Sequence, residues 1–228
     1  MLFQVLDNKN ECHSIFVKNQ IVKQFNDVNL TRSWAPTVHF RDKNIEYASL
    51  WCSGKSLKEV CPEELRATYG ALERTAHSYF QSFRTAKINL DDICFYDLVP
   101  KSFLLDYFKI KNNIAQSVFE NYQKPQNYDF LHDLSFFLLD MKNRDLNLDY
   151  KNLNLLAKSA HHGAGKLKGG GTRVAFNPWT TKTGRLTTEK NSFPILTMNK
   201  ELRSVVKPQN DCFVELDYNA AEVRVVFG

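Results

Sequence analysis

The stretch Phe213-Val-Glu-Leu-Asp-Tyr-Asn-Ala-Ala-Glu-Val-Arg-Val-Val-Phe-Gly228 decides how the rest of the chain is read. Phe213, Val214 and Leu216 form a short apolar run expected to be a buried strand that ends at Asp217. Ala220, Ala221, Val223, Val225 and Val226 continue as the apolar start of a helix. An acid at a strand end, followed at once by a helix, presents a carboxylate from a rigid position. Asp is also a favoured helix N-cap, so both roles stay open for Asp217 on these residues alone. Glu222 follows within the first turns, near the same opening, and Arg224 lies on a different face.

Upstream stands Thr181-Lys-Thr-Gly-Arg-Leu-Thr-Thr188. Thr-Gly-Arg-Leu, then about thirty residues, then Asp-Tyr-x-x-x-Glu-x-Arg resembles the palm of family A DNA polymerases. The second block in that family usually reads Asp-Tyr-Ser-Gln-Ile-Glu-Leu-Arg. Asp217, Tyr218, Glu222 and Arg224 match it; Asn219, Ala220 and Ala221 depart, and Val223 is a mild change. Either block alone is a weak signal, and their order and coupling carry the resemblance, which covers residues 128–228.

Composition sets the bounds. A chain of 228 residues forms one large domain or two small ones, and 43% hydrophobic residues suffice for a packed core. No apolar run approaches the ~18 residues of a membrane span. The N-terminus lacks the basic and apolar segments of a signal peptide. The five cysteines are odd in number and show no Cys-x-x-Cys spacing, so free thiols are expected and a zinc site is not. The net charge of +5 is uneven: residues 1–150 carry 18 basic and 19 acidic side chains, residues 151–228 carry 12 and 6. Tyr150 to Thr188 contains no acid, which suits a polyanionic partner; a solvated basic face is the plainer alternative.

Taken in order, Leu2–Leu6 and Cys12–Val17 are expected to pair as a hairpin, and Ile45–Trp51 to form a strand. Pro62 opens a helix with the stripe Leu65, Tyr69, Leu72, Ala76, Phe80 and Phe83. Ile93–Leu98 is expected to be a strand, and helical sequence runs from Pro100 to Tyr122. Lys124–Asn127 is a linker, followed by an amphipathic helix over 128–141 with the stripe Phe130, Leu131, Leu134, Leu138 and Met141. The expected class is therefore α/β (α+β), with an α/β domain over 1–125 and a second domain over 126–228. The resemblance makes the first a degenerate equivalent of a 3′–5′ exonuclease domain. It makes the second the N-terminal part of a thumb and palm. An active exonuclease needs an Asp-x-Glu on its first strand, and Asp7-Asn8-Lys9 is not one. Asp145-Leu-Asn-Leu-Asp149 is loosely similar to the family's segment before the thumb. The long helical thumb is missing or reduced, since the intervening residues include Gly163-Ala-Gly-Lys166 and Lys168-Gly-Gly-Gly171, read as a mobile basic loop.

The resemblance implies template-directed nucleotidyl transfer from dNTPs onto primer–template DNA by two Mg²⁺ ions. It implies that Asp217 bridges both ions and that the Tyr218 carbonyl ligates one. It implies that Glu222 crowds the sugar 2′ position, and that Arg224 holds the site and the primer end. Arg185 would reach the minor groove beside the primer terminus, where acceptors occur at every correct pair. Thr183 and Gly184 would shape its turn, with Lys182 and Arg203 as further DNA contacts. The family's fingers helix and its second metal-binding acid, in a His-Asp-Glu turn, are absent. A truncated product, inactive alone, is therefore expected, with a C-terminal polymerase half or a processivity factor as partner. A phage source would place it in the host cytoplasm, with no membrane partner. Two alternatives are a non-catalytic DNA-binding module using residues 151–188 and a single-subunit RNA polymerase palm; Glu222 argues against the latter.

Overall fold

The computed structural model describes residues 1–6, 14–23, 29–41, 44–90, 93–152, 172–190, 192–198 and 200–215. The chain divides into two compact units, Met1–Asp140 and Met141–Gly228. The class is mixed α and β, as expected.

In the first unit, β1 (Phe3–Val5), β2 (Ile15–Val17) and β3 (Gln20–Val22) form an antiparallel sheet in that order. Phe3 faces Val17 and Val5 faces Ile15, which is the expected first hairpin. The tight turn from β2 to β3 places Lys18 and Asn19 at φ 50° and 60°, the left-handed pair of a two-residue hairpin loop. Two short parallel strands follow, β4 (Arg32–Ser33) and β5 (Glu46–Tyr47). The helices are α1 (Ala48–Trp51), α2 (Glu63–Thr85), α3 (Lys101–Asn121) and α4 (Tyr128–Lys142).

Pro62 and Pro100 stand at the N-caps of α2 and α3, where a missing N–H costs nothing. The α2 stripe packs through Tyr69, Leu72, Ala76 and Phe83, while Phe80 stays 41% exposed. Phe108 of α3 is fully buried among Leu6, Phe16, Cys94, Val99, Phe103 and Leu104.

Four expectations are corrected. Ile45–Trp51 is a strand only at Glu46–Tyr47 and turns helical at Ala48. Ile93–Leu98 is not a strand but contains a 3₁₀ turn, Phe95–Asp97. Phe95 and Tyr96 both pack on the same core cluster, and the alternation of a strand would have sent one of them away. On α4 the buried residues are Tyr128, Phe136 and Leu138, whereas Phe130 and Phe137 are 64% and 60% exposed. The reason is a long-range contact: the Tyr47 N–H donates to the Tyr128 hydroxyl at 2.8 Å, and Tyr47 packs on His132 and Phe136 at 5.8 and 6.0 Å between ring centres. Burial pushes the Tyr128 phenol up to about 12. These contacts tie α4 to the first unit, so the units meet at 140/141 rather than at the expected 125/126.

In the second unit β6 (Asn147–Leu148) pairs with β9 (Val206–Lys207), and β7 (Phe176–Asn177) pairs with β8 (Thr187–Thr188), both antiparallel. Its core is Leu148, Val174, Phe193, Met198, Leu202 and Val205. Asp145 bridges Arg173. Cys52, Cys61 and Cys94 are buried free thiols and Cys212 is an exposed one. Among the described residues, no helix is long and apolar enough to cross a membrane.

Candidate nucleic-acid interface

The hairpin β7–β8 carries the Thr-Gly-Arg-Leu motif in its loop, residues 178–186. The loop is pinned at several points. The Trp179 N–H donates to Asn177 Oδ1 at 2.8 Å, a turn in which an Asn side chain stands in for backbone. The hydroxyls of Thr180 and Thr187 are hydrogen-bonded to each other across the hairpin. The Gly184 N–H donates to the Thr181 carbonyl at 3.3 Å, and Thr181 Oγ1 donates to the Arg185 carbonyl at 2.9 Å. Gly184 has φ +71°, a left-handed conformation. Lys182, Thr183 and Arg185 are exposed around that turn.

The base of the hairpin is anchored in the core. The Glu189 N–H donates to Ala175 at 2.8 Å and the Phe193 N–H to Arg173 at 2.9 Å. The Glu189 carboxylate lies 3.5 Å from the Lys142 ammonium. From Pro178 to Thr188 the loop holds no carboxylate, so its tip is cationic.

A side chain built at Gly184 would meet nothing within 4 Å, so the conformation alone demands glycine. Gly184→Ala is expected to lower stability by about 1 kcal/mol, with Gly184→Asn costing less. Thermal unfolding of the three proteins checks this, and an unchanged Ala variant would show that the turn relaxes.

Arg203 lies on the 3₁₀ helix Lys200–Val205, exposed, with its Nε donating to the Met198 carbonyl at 3.2 Å. That bond fixes its stem. Asp145 accepts from Thr172 Oγ1 and from Arg173 at 3.1 and 3.3 Å, which holds its carboxyl below the usual range. Asp149 is held low chiefly by the Asn152 N–H. Both carboxylates are engaged in closing the β6 segment. Among the described residues no group of three or more His, Cys, Asp or Glu could hold a metal.

Asp217, Tyr218, Glu222 and Arg224 lie outside the described residues, as does the glycine-rich run over 163–171. The buried strand expected at Phe213 is corrected as far as Glu215. Phe213 and Val214 are 65% and 79% exposed, and no strand forms over 212–215. A strand needs a neighbour for its backbone groups, and no described strand pairs with this segment.

Trp179 and Asn177 were not singled out from the sequence. Asn177-Pro178 is a turn-initiating dipeptide and could have marked the position.

No family model, curated protein or solved structure matches this chain. The likeness to family A polymerases rests on the two motifs alone.

Proposed function

We propose that this chain is part of a family A DNA-directed DNA polymerase, acting in template-directed nucleotidyl transfer from dNTPs during DNA replication. The observation that carries the proposal is the placement of Arg185. Its residue stands exposed on a pinned, carboxylate-free hairpin turn, about thirty residues ahead of Asp217-Tyr-x-x-x-Glu-x-Arg224.

In this proposal Arg185 tests primer-terminus geometry through minor-groove acceptors that every correct pair shares. A rigid turn suits that task, because a hydrogen bond discriminates only when its donor cannot follow a misplaced acceptor. Lys182 and Arg203 neutralise backbone phosphates. Glu222 fills the space of a ribose 2′-hydroxyl, and Arg224 orders the site. The Asp217 carboxylate and Tyr218 carbonyl are hard oxygen donors of the kind Mg²⁺ prefers. Bound there, two such ions would make the primer 3′-hydroxyl nucleophilic and neutralise the triphosphate. The first unit takes the place of the 3′–5′ exonuclease domain without its Asp-x-Glu pair. A C-terminal polymerase half or a processivity factor completes the enzyme, in a host cytoplasm if the source is a phage.

The test is primer extension with Mg²⁺ and dNTPs by the product of the entire reading frame. Asp217→Ala is expected to reduce extension to background, and retained extension would overturn the assignment. The acid-free run with exposed Lys182 and Arg185 also favours a second reading, a non-catalytic DNA-binding module. That outcome is salt-sensitive primer–template binding with no extension in any form of the protein.

A further inference from the structure

Trp179 is half-buried, and its side chain belongs to none of the core of the second unit. It makes no ring contact, and its indole N–H has no partner, among the described residues. Its backbone, by contrast, is fixed: Asn177 Oδ1 accepts its N–H at 2.8 Å, and the Thr180–Thr187 hydroxyl pair closes the loop immediately beyond it.

The surroundings are selective. Lys182 and Arg185 are exposed on the same loop, and Thr183 adds an exposed hydroxyl-bearing residue. No carboxylate occurs between Pro178 and Thr188. An indole face with cations and a hydroxyl, on one pinned loop, matches the chemistry of a nucleic acid: π-surfaces for stacking, phosphates for the cations and acceptors for the hydroxyl. An acidic peptide would use the cations but would leave the indole without a flat partner. A membrane surface would call for more apolar side chains than the single indole this loop offers.

We infer that Trp179 is a DNA-stacking residue, placing its indole against a base or sugar of the primer–template that Lys182 and Arg185 hold by charge. This rests on the polymerase proposal and adds a contact that neither of the two motifs contains. Stacking is indifferent to base identity, so the contact adds affinity and register without sequence preference.

The chain has three tryptophans, and the other two, Trp34 and Trp51, pack in the core of the first unit. Fluorine NMR of the fluorotryptophan-labelled chain therefore reports on Trp179 separately once Trp179→Phe has assigned its resonance. The probe is a DNA hairpin with a recessed 3′ end. Titration is expected to shift or broaden the Trp179 signal and leave the other two in place. Trp179→Ala is expected to weaken binding about 5- to 30-fold, with Trp179→Phe retaining most of the affinity. Replacing Lys182 and Arg185 with Ala should weaken binding and flatten its decline between about 50 and 200 mM salt. If the double variant behaves so while Trp179→Ala binds like wild type and its resonance never moves, the inference falls and the polymerase proposal stands. If the wild-type chain binds no DNA at any salt concentration, the inference falls, while the polymerase proposal is decided separately by primer extension with the product of the entire reading frame.

Discussion

Phe108→Ala is expected to remove about 3–5 kcal/mol of stability, a large share of what a domain of this size has in total. Phe108 is fully buried and packs against Phe16, Tyr96 and Tyr107 with ring centres 6.2, 5.4 and 5.6 Å away. It thereby joins β2, α3 and the 3₁₀ turn at Phe95–Asp97 in one cluster. Truncation leaves a cavity bounded by three separate elements, which cannot all close in on it. Phe108→Leu keeps most of the volume and should cost less than about 1.5 kcal/mol. Urea unfolding of the three proteins is the measurement. A loss under about 1 kcal/mol for the Ala variant would mean that this cluster is not the centre of the first unit.

Lys111→Met is expected to stabilise the protein by about 2 kcal/mol at neutral pH. Lys111 lies on α3 with its ammonium 5.0 and 5.2 Å from the ring centres of Tyr107 and Phe108. Burial lowers its pKa to about 8, against a smaller opposing pull from Glu73. Relative to the 10.5 of a free lysine, that depression corresponds to a cost of about 3 kcal/mol when the group is charged. The two ring contacts return about 1 kcal/mol of that.

The sign with pH follows from proton counting. Between about 8 and 10.5 the unfolded chain holds the Lys111 proton and the folded chain does not, so the contribution of Lys111 to stability rises with pH across that window. Below it both states are charged and the cost is present in full. The advantage of Lys111→Met should therefore be greatest below pH about 8 and fade as pH approaches about 10.5. Burial also raises the Tyr69 and Tyr107 phenols and the Cys52 and Cys61 thiols, which lowers the stability of wild type and variant alike as pH rises through the upper part of this window, so the Lys111 effect is read from the difference between the two curves. Chemical unfolding at a series of pH values reads this directly, and parallel wild-type and variant curves would remove Lys111 from the role.

The long helices were legible because their signals are local. Pro62 and Pro100 punctuate α2 and α3, and the three- and four-residue recurrence of Leu65, Tyr69 and Leu72 names a buried face. What escaped depends on residues far apart in the chain. The inward face of α4 is chosen by Tyr128 meeting Tyr47, eighty-one positions away, which no periodicity within the helix could reveal. Phe95 and Tyr96 read as strand because aromatics favour strands, yet a single cluster takes both rings. At the candidate site, Gly184 was legible as the turn residue because its motif is short and its chemistry backbone-based. Trp179 was not, since nothing in its neighbours' identity says that the core would leave its indole aside.

The exposed segment Cys212-Phe213-Val214-Glu215 has a consequence for storage and handling. Two apolar side chains beside a free, exposed thiol give two molecules both a sticky patch and the means to lock it covalently. In air, concentrated stocks should accumulate disulfide-linked pairs joined at Cys212, which a reductant would dissolve back to single chains.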